Sequence, residues 1–233
     1  MKTNSLHIAL TVILFVPAIT FANTVILQPG PDIGQDTYAD SRSPDNNFSD
    51  DQIMCVFPTY ARSFLQFTQL NGYIGYQVTL ATLVLSLDGT EWGTRWFCRV
   101  LEPWEEDTVT WNNQPAYSYT DYLEFTEEQE AKGDHHYDVT SVVNKWLSGQ
   151  WDNYGWEIGT GYADMIITTS NFSIADNRPE LILGGPNLPP LSVQPTSLGK
   201  IKSIYSPQQV SSITDGRGQF AKHSKREAWA RVE

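Results

Sequence analysis

From Asn23 to about Gly185 the chain is a series of short runs rich in Val, Ile, Thr, Tyr and Phe. Each run ends within a few residues at Gly, Pro, Asn, Asp or Ser, and this texture constrains the fold more than any other feature. The runs are Thr24–Leu27, Gln52–Phe57, Arg62–Phe67, Val78–Leu87, Arg95–Leu101, Gly155–Thr160, Met165–Thr169 and Glu180–Leu183. In the fourth, Thr79, Ala81, Leu83, Leu85 and Leu87 share one face, while Val78, Leu80 and Val84 lie on the other. That predicts a central strand covered on both sides. Short strands without intervening amphipathic helices predict an all-β fold, a jelly-roll-like β-sandwich. A single helix is predicted over Ser141–Ser148. Asp138-Val139-Thr140 would cap it, Val142, Val143, Trp146 and Leu147 would form its apolar face, and Gly149 would stop it.

Both ends depart from this texture. Lys2, the apolar run Ile8–Val16 and the small residues of Thr20-Phe21-Ala22 read as a signal peptide over 1–22, far short of the roughly 20 apolar residues of a membrane span. The expected product is a secreted module over 23–185. Beyond it, Pro186-Asn187-Leu188-Pro189-Pro190 opens a linker, and 186–233 reads as a flexible tail used for attachment or sorting. Residues 23–190 hold 24 Asp and Glu against 7 Lys and Arg, a balance of −17, whereas 191–233 balance at +4. So acidic a domain repels nucleic acid, anionic membranes and polyanionic glycans. No nucleic acid partner and no membrane span are expected.

Four groups of residues carry candidate chemistry. The run Glu102-Pro103-Trp104-Glu105-Glu106-Asp107, followed by Trp111, crowds acids together. A glycosidase, however, needs two carboxyls facing each other across a cleft, and neighbours in sequence diverge. The run is therefore expected to be a solvated corner with Trp104 and Trp111 packed inward. The segment 36–51 offers carboxylates and amide oxygens suited to calcium, with Asp36, Asp40 and Asp45 as ligands; an acidic turn without metal is the alternative. Cys55 and Cys98 could bridge in an oxidising compartment or stay as buried thiols. Trp92, Trp151 and Tyr154 stand in polar loop contexts and are candidates for a ligand-stacking platform, with packing as the alternative. His135 and His136 are expected in a solvated loop. No nucleophile elbow or phosphate loop is present.

These segments also fall in a recognisable order. Asp36-Thr37-Tyr38-Ala39-Asp40 and Ser43-Pro44-Asp45-Asn46-Asn47-Phe48 lead to Arg62-Ser63-Phe64-Leu65-Gln66-Phe67 and Ala81-Thr82-Leu83-Val84-Leu85. Arg99-Val100, Glu102-Pro103-Trp104, Val109-Thr110-Trp111-Asn112 and Pro115 come next. Asp138-Val139-Thr140, Val143, Trp146, Asn153-Tyr154-Gly155 and Arg178-Pro179-Glu180-Leu181 close the set. The ordered set, spanning about 24–184, resembles DNRLRE domains, also called carbohydrate-binding module family 96. That resemblance implies a non-catalytic extracellular jelly roll attached to polysaccharide-degrading enzymes or to prokaryotic surface proteins, with some members associated with acidic polysaccharides such as alginate. The −17 balance opposes a polyanion unless calcium bridges, so the expected partner is a neutral polysaccharide or cell-surface glycan. A structural or adhesive surface protein without a sugar site is the second expectation. A polysaccharide-degrading enzyme using Glu105 or Glu106 is the third.

Overall fold

The computed structural model describes residues 23–189, apart from 91–92, 128–131 and 163. The predicted signal peptide, Trp92 and the tail beyond 189 lie outside the described residues.

The strand with the strongest alternation is the spine. β5 (Leu80–Thr90) turns Ala81, Leu83, Leu85 and Leu87 into the core. Along one edge it pairs with β11 (Glu180–Gly185) and then with β10 (Met165–Thr168); along the other it pairs with β8 (Gly133–Asp138). β1 (Asn23–Leu27) adds to β11 and β3 (Ile53–Val56) adds to β10, completing the first sheet. The second sheet runs in the order β2 (Gln35–Asp40), β4 (Ala61–Gln66), β9 (Trp156–Thr160), β6 (Gly93–Val100) and β7 (Tyr117–Glu127). All these pairings are antiparallel. The fold is the expected all-β sandwich.

Leu65, Phe67, Phe97 and Trp156 of the second sheet and its loops meet Leu83, Leu85, Ile167 and Leu181 of the first, all with essentially no exposed surface. The predicted helix is α1 (Thr140–Leu147). Its four apolar residues are buried, and Trp146 lies against Trp156 with ring centroids 4.5 Å apart. The Asp138 carboxylate accepts a hydrogen bond from the Thr140 amide at 2.9 Å, but the N-cap residue is Val139, so the helix has no side-chain cap of the expected kind. Leu188, placed by the sequence in a linker, is instead 2% exposed within this core. Leu80 is 48% exposed, so the outer face of β5 is not covered throughout its length.

Three strands escaped the sequence. β7 and β8 carry Asp, His, Glu and Gly, yet they pair with β6 and β5 and turn one face to solvent, where strand propensity counts little; that face of β7 mixes tyrosines with polar residues. His135 and His136 therefore sit on a strand with opposite orientations, one buried and one exposed. β2 was hidden inside the acidic segment 36–51.

A second apolar cluster lies on the opposite face of the second sheet. Ala39, Phe64 and Val100 alternate with core residues along their strands, so they point away from the sandwich interior. The connection between β6 and β7 folds over them with Trp104 and Val109, joined by half-buried Trp111, Tyr117 and Tyr154. Trp104 is thus packed, as expected, but over the outer face and not between the sheets. Its indole N–H donates to the Tyr154 carbonyl at 2.9 Å, which ties this cover to the β9 approach.

Candidate functional site

The cover occupies only part of the outer face. The uncovered part is a groove of about 370 Å³ floored by β4, β9 and β6 and walled by β7. Alternation places Arg62, Glu157, Gly159, Trp96 and Cys98 outward, and Tyr117, Tyr119 and Tyr122 rise from the edge strand. Tyr119 is 74% and Tyr122 44% exposed. The Tyr119 hydroxyl donates to that of Tyr117 at 3.0 Å, with the two ring centroids 4.9 Å apart. The half-buried Trp96 indole N–H donates to Glu124 at 3.3 Å. A Cβ at Gly161 would stand 3.0 Å from the Trp96 ring, and one at Gly159 would stand 3.2 Å from a Glu157 carboxyl oxygen. The two glycines leave room for the ring and the carboxyl that shape the floor.

Charge on the groove floor is concentrated at one pair, with Glu124 on the β7 wall. The Glu157 side chain is 4% exposed, and the Arg62 Nε is 3.6 Å from its Oε1. Burial pushes the Glu157 carboxyl up to about 7, against the lowering influence of Arg62 and of a hydrogen bond with Cys98. The Arg62 guanidinium also lies 5.0 Å from the Trp111 ring and 5.4 Å from the Tyr117 ring, which fixes it at the junction of cover and groove. Aromatic faces over a hydrogen-bonding floor suit a ligand with apolar ring faces and hydroxyl edges.

A family model for carbohydrate-binding module family 96 matches residues 32–185, a span that includes every groove residue named above. The chain belongs to this family. Among curated proteins, none matches the chain.

Within the module the platform inferred from sequence lies elsewhere. Trp92 is outside the described residues. Trp151 and Tyr154 do share a second hollow, of about 300 Å³, beside the end of α1. There the Trp151 ring is already engaged by Arg99, 4.2 Å from its centroid, and by Lys145 at 3.8 Å. Tyr154 packs into the outer apolar cluster.

Asp36, Asp40 and Asp45 do not converge. Asp36 and Asp40 are four residues apart on one strand, which separates them by roughly 13 Å. Asp36 is buried and accepts hydrogen bonds from the Ser170 amide and hydroxyl; burial raises its carboxyl to about 6. Asp40 grips Arg42, whose side-chain hydrogen bonds hold its carboxyl below the ordinary range. Asp45 accepts from Asn112 at 2.7 Å. Among the described residues no group of three or more His, Cys, Asp or Glu is placed to hold a metal ion. The Glu105–Asp107 acids line a separate acidic hollow near Asp50, away from the groove. There, burial and the neighbouring Asp36 raise Glu106 to about 8.

Cys55 and Cys98 are free thiols, so the bridge weighed from sequence is not formed. Burial raises Cys55 to about 11 and, with Glu157 adding to the effect, Cys98 to about 12. Both should therefore resist alkylation by iodoacetamide in the native protein at neutral pH and react after denaturation. Mass spectrometry showing rapid native labelling of Cys98 would contradict this.

The groove residues were visible in the sequence only as fragments. The outward aromatics of β7 and the Glu157-x-Gly159 spacing would have stood out had β7 been recognised as a strand.

Proposed function

We propose that the module is a secreted, non-catalytic glycan-binding domain that holds its carbohydrate in the groove on the outer face of the second sheet. The observation that supports this most directly is the exposed Tyr119 and Tyr122 wall beside Trp96, set over the Arg62–Glu157 floor. Ring faces stack on sugar C–H faces, while a buried carboxyl and a guanidinium satisfy hydroxyls that would otherwise lose water.

Affinity electrophoresis through a panel of polysaccharides, with and without a chelator, tests the proposal. Retention on at least one neutral glycan is expected. Replacing Trp96 and Tyr119 together by alanine should weaken it about tenfold or more, at roughly 1 kcal/mol per ring. No retention anywhere would favour an adhesive or structural role.

One observation favours a catalytic alternative: Glu157, raised to about 7, shares the groove with Glu124. That alternative predicts release of reducing ends from the bound glycan and its loss in Glu157→Gln. Binding without cleavage is the outcome expected here.

A further inference from the structure

The groove residues carry an uneven charge. Two carboxylates, Glu157 and Glu124, border it against a single guanidinium. That guanidinium is committed: it lies beside Glu157, its Nη1 is 3.4 Å from the Gln114 amide oxygen, and the Trp111 and Tyr117 rings flank it. Around the groove, residues 23–190 carry a balance of −17. A carboxylate or sulfate on a ligand would meet Glu124 and the Glu157–Arg62 pair, with no cation free to turn toward it. A ligand ammonium would meet two carboxyl groups able to accept its hydrogen bonds.

The floor also has a place for such a group. Gly159 lines the groove beside Glu157, and any larger residue there would put its Cβ 3.2 Å and 3.5 Å from the two carboxyl oxygens. Without that carbon the Glu157 carboxyl fits over Gly159 at the groove floor, where a small part of it faces the groove. Glu124, reached through the Trp96 indole N–H, stands on the opposite wall. A sugar whose ring stacks on Trp96 or Tyr119 would therefore carry its substituents between two acceptors.

We propose that the groove selects glycans bearing free amino groups, of the polyglucosamine type, with Glu157 receiving the ammonium. This rests on the glycan-binding assignment of the groove and narrows its substrate class. It runs against the polyanionic ligands associated with some members of the family.

The test compares one sugar backbone in two forms: glucosamine oligosaccharides and their fully N-acetylated counterparts, titrated calorimetrically into the wild-type protein. The two present the same rings for stacking and differ in charge and in the acetyl group. The amine form is expected to bind about tenfold more tightly, the size of one charge-assisted hydrogen bond. That advantage should shrink as salt is raised, which the acetyl group alone would not cause. In Glu157→Gln, with folding checked by its melting curve, the ratio between the two forms should fall to near one. Equal affinities in the wild type, or an amine preference insensitive to salt, overturn the inference and leave the glycan-binding assignment standing. Failure of these and all other polysaccharides to bind overturns both.

Discussion

Gly155→Ala is expected to be among the most destabilising single substitutions in the domain, costing about 4 kcal/mol or more. Gly155 closes the Asn153-Tyr154-Gly155 approach to β9 with φ of 80°, in the left-handed region. A Cβ there would stand 2.2 Å from the Leu65 carbonyl oxygen and under 3 Å from the Gln66 Cα and Cβ. The backbone conformation alone costs alanine about 1–2 kcal/mol. The overlap adds more, because the obstructing atoms belong to the sheet and cannot swing aside. The surroundings are also pinned. The Gln66 amide donates to the Asn153 carbonyl at 2.7 Å, the Asn153 amide donates to the Phe67 carbonyl at 3.0 Å, and Trp104 holds the Tyr154 carbonyl. Relief would thus have to separate β4 from β9 or unseat the outer cluster. For a domain of this size, 4 kcal/mol lowers Tm by roughly 8–16 °C. Gly149→Ala is the control: its φ of 71° is also left-handed, but nothing lies within 4 Å of the added carbon, so it should lose only the backbone cost. Equal melting temperatures for the two variants would refute the close approach as the cause.

The second large effect is a fall in stability as pH rises from about 4 toward about 8. Three carboxyls titrate high because the fold buries them: Asp36 at about 6, Glu157 at about 7 and Glu106 at about 8. The folded state therefore keeps protons that the unfolded chain releases near pH 4. The associated stability is complete below that point and is lost as pH climbs through the folded-state values. Asp36 and Glu157 each account for roughly 3 kcal/mol of this loss. Glu106 acts in the same direction and is more exposed. Asp40 and Asp138 work oppositely: hydrogen bonds hold both below the ordinary range, so their contributions vanish in strong acid. Maximum stability should consequently fall near pH 4 to 5, with Tm lower by on the order of 10 °C at about pH 8. Asp36→Asn should flatten the lower part of that decline, since a neutral amide has no proton to lose. A Tm that stays level or increases across the range would contradict these assignments.

Strong alternation made the inner half of the fold legible. Val78–Leu87 announced the spine, and Val142, Val143, Trp146 and Leu147 announced the helix, because each pattern has one period and one apolar face. Strands whose second face meets water, as in β7 and β8, left no such mark. The acidic segment 36–51 misled for a related reason. Its carboxylates look like one ligand set on paper, yet β2 extends Asp36 and Asp40 apart and gives each a separate partner. The Glu102–Asp107 run was rightly expected to frame a corner, with Trp104 buried. That corner was expected to pack inward, yet Trp104 covers the outer face of the second sheet and Trp111 is only half-buried there.

Composition and order along the chain determined the sandwich and the family motifs, because apolar periodicity and glycine or proline punctuation act over a few residues. The groove was decided by tertiary structure. Its floor joins Arg62, Trp96 and Glu157 from three strands far apart in sequence, and its extent depends on where the Trp104 cover stops. Local sequence does not record how strands are ordered across a sheet. The pairing of β9 between β4 and β6 sets that order, and with it the burial that raises Glu157.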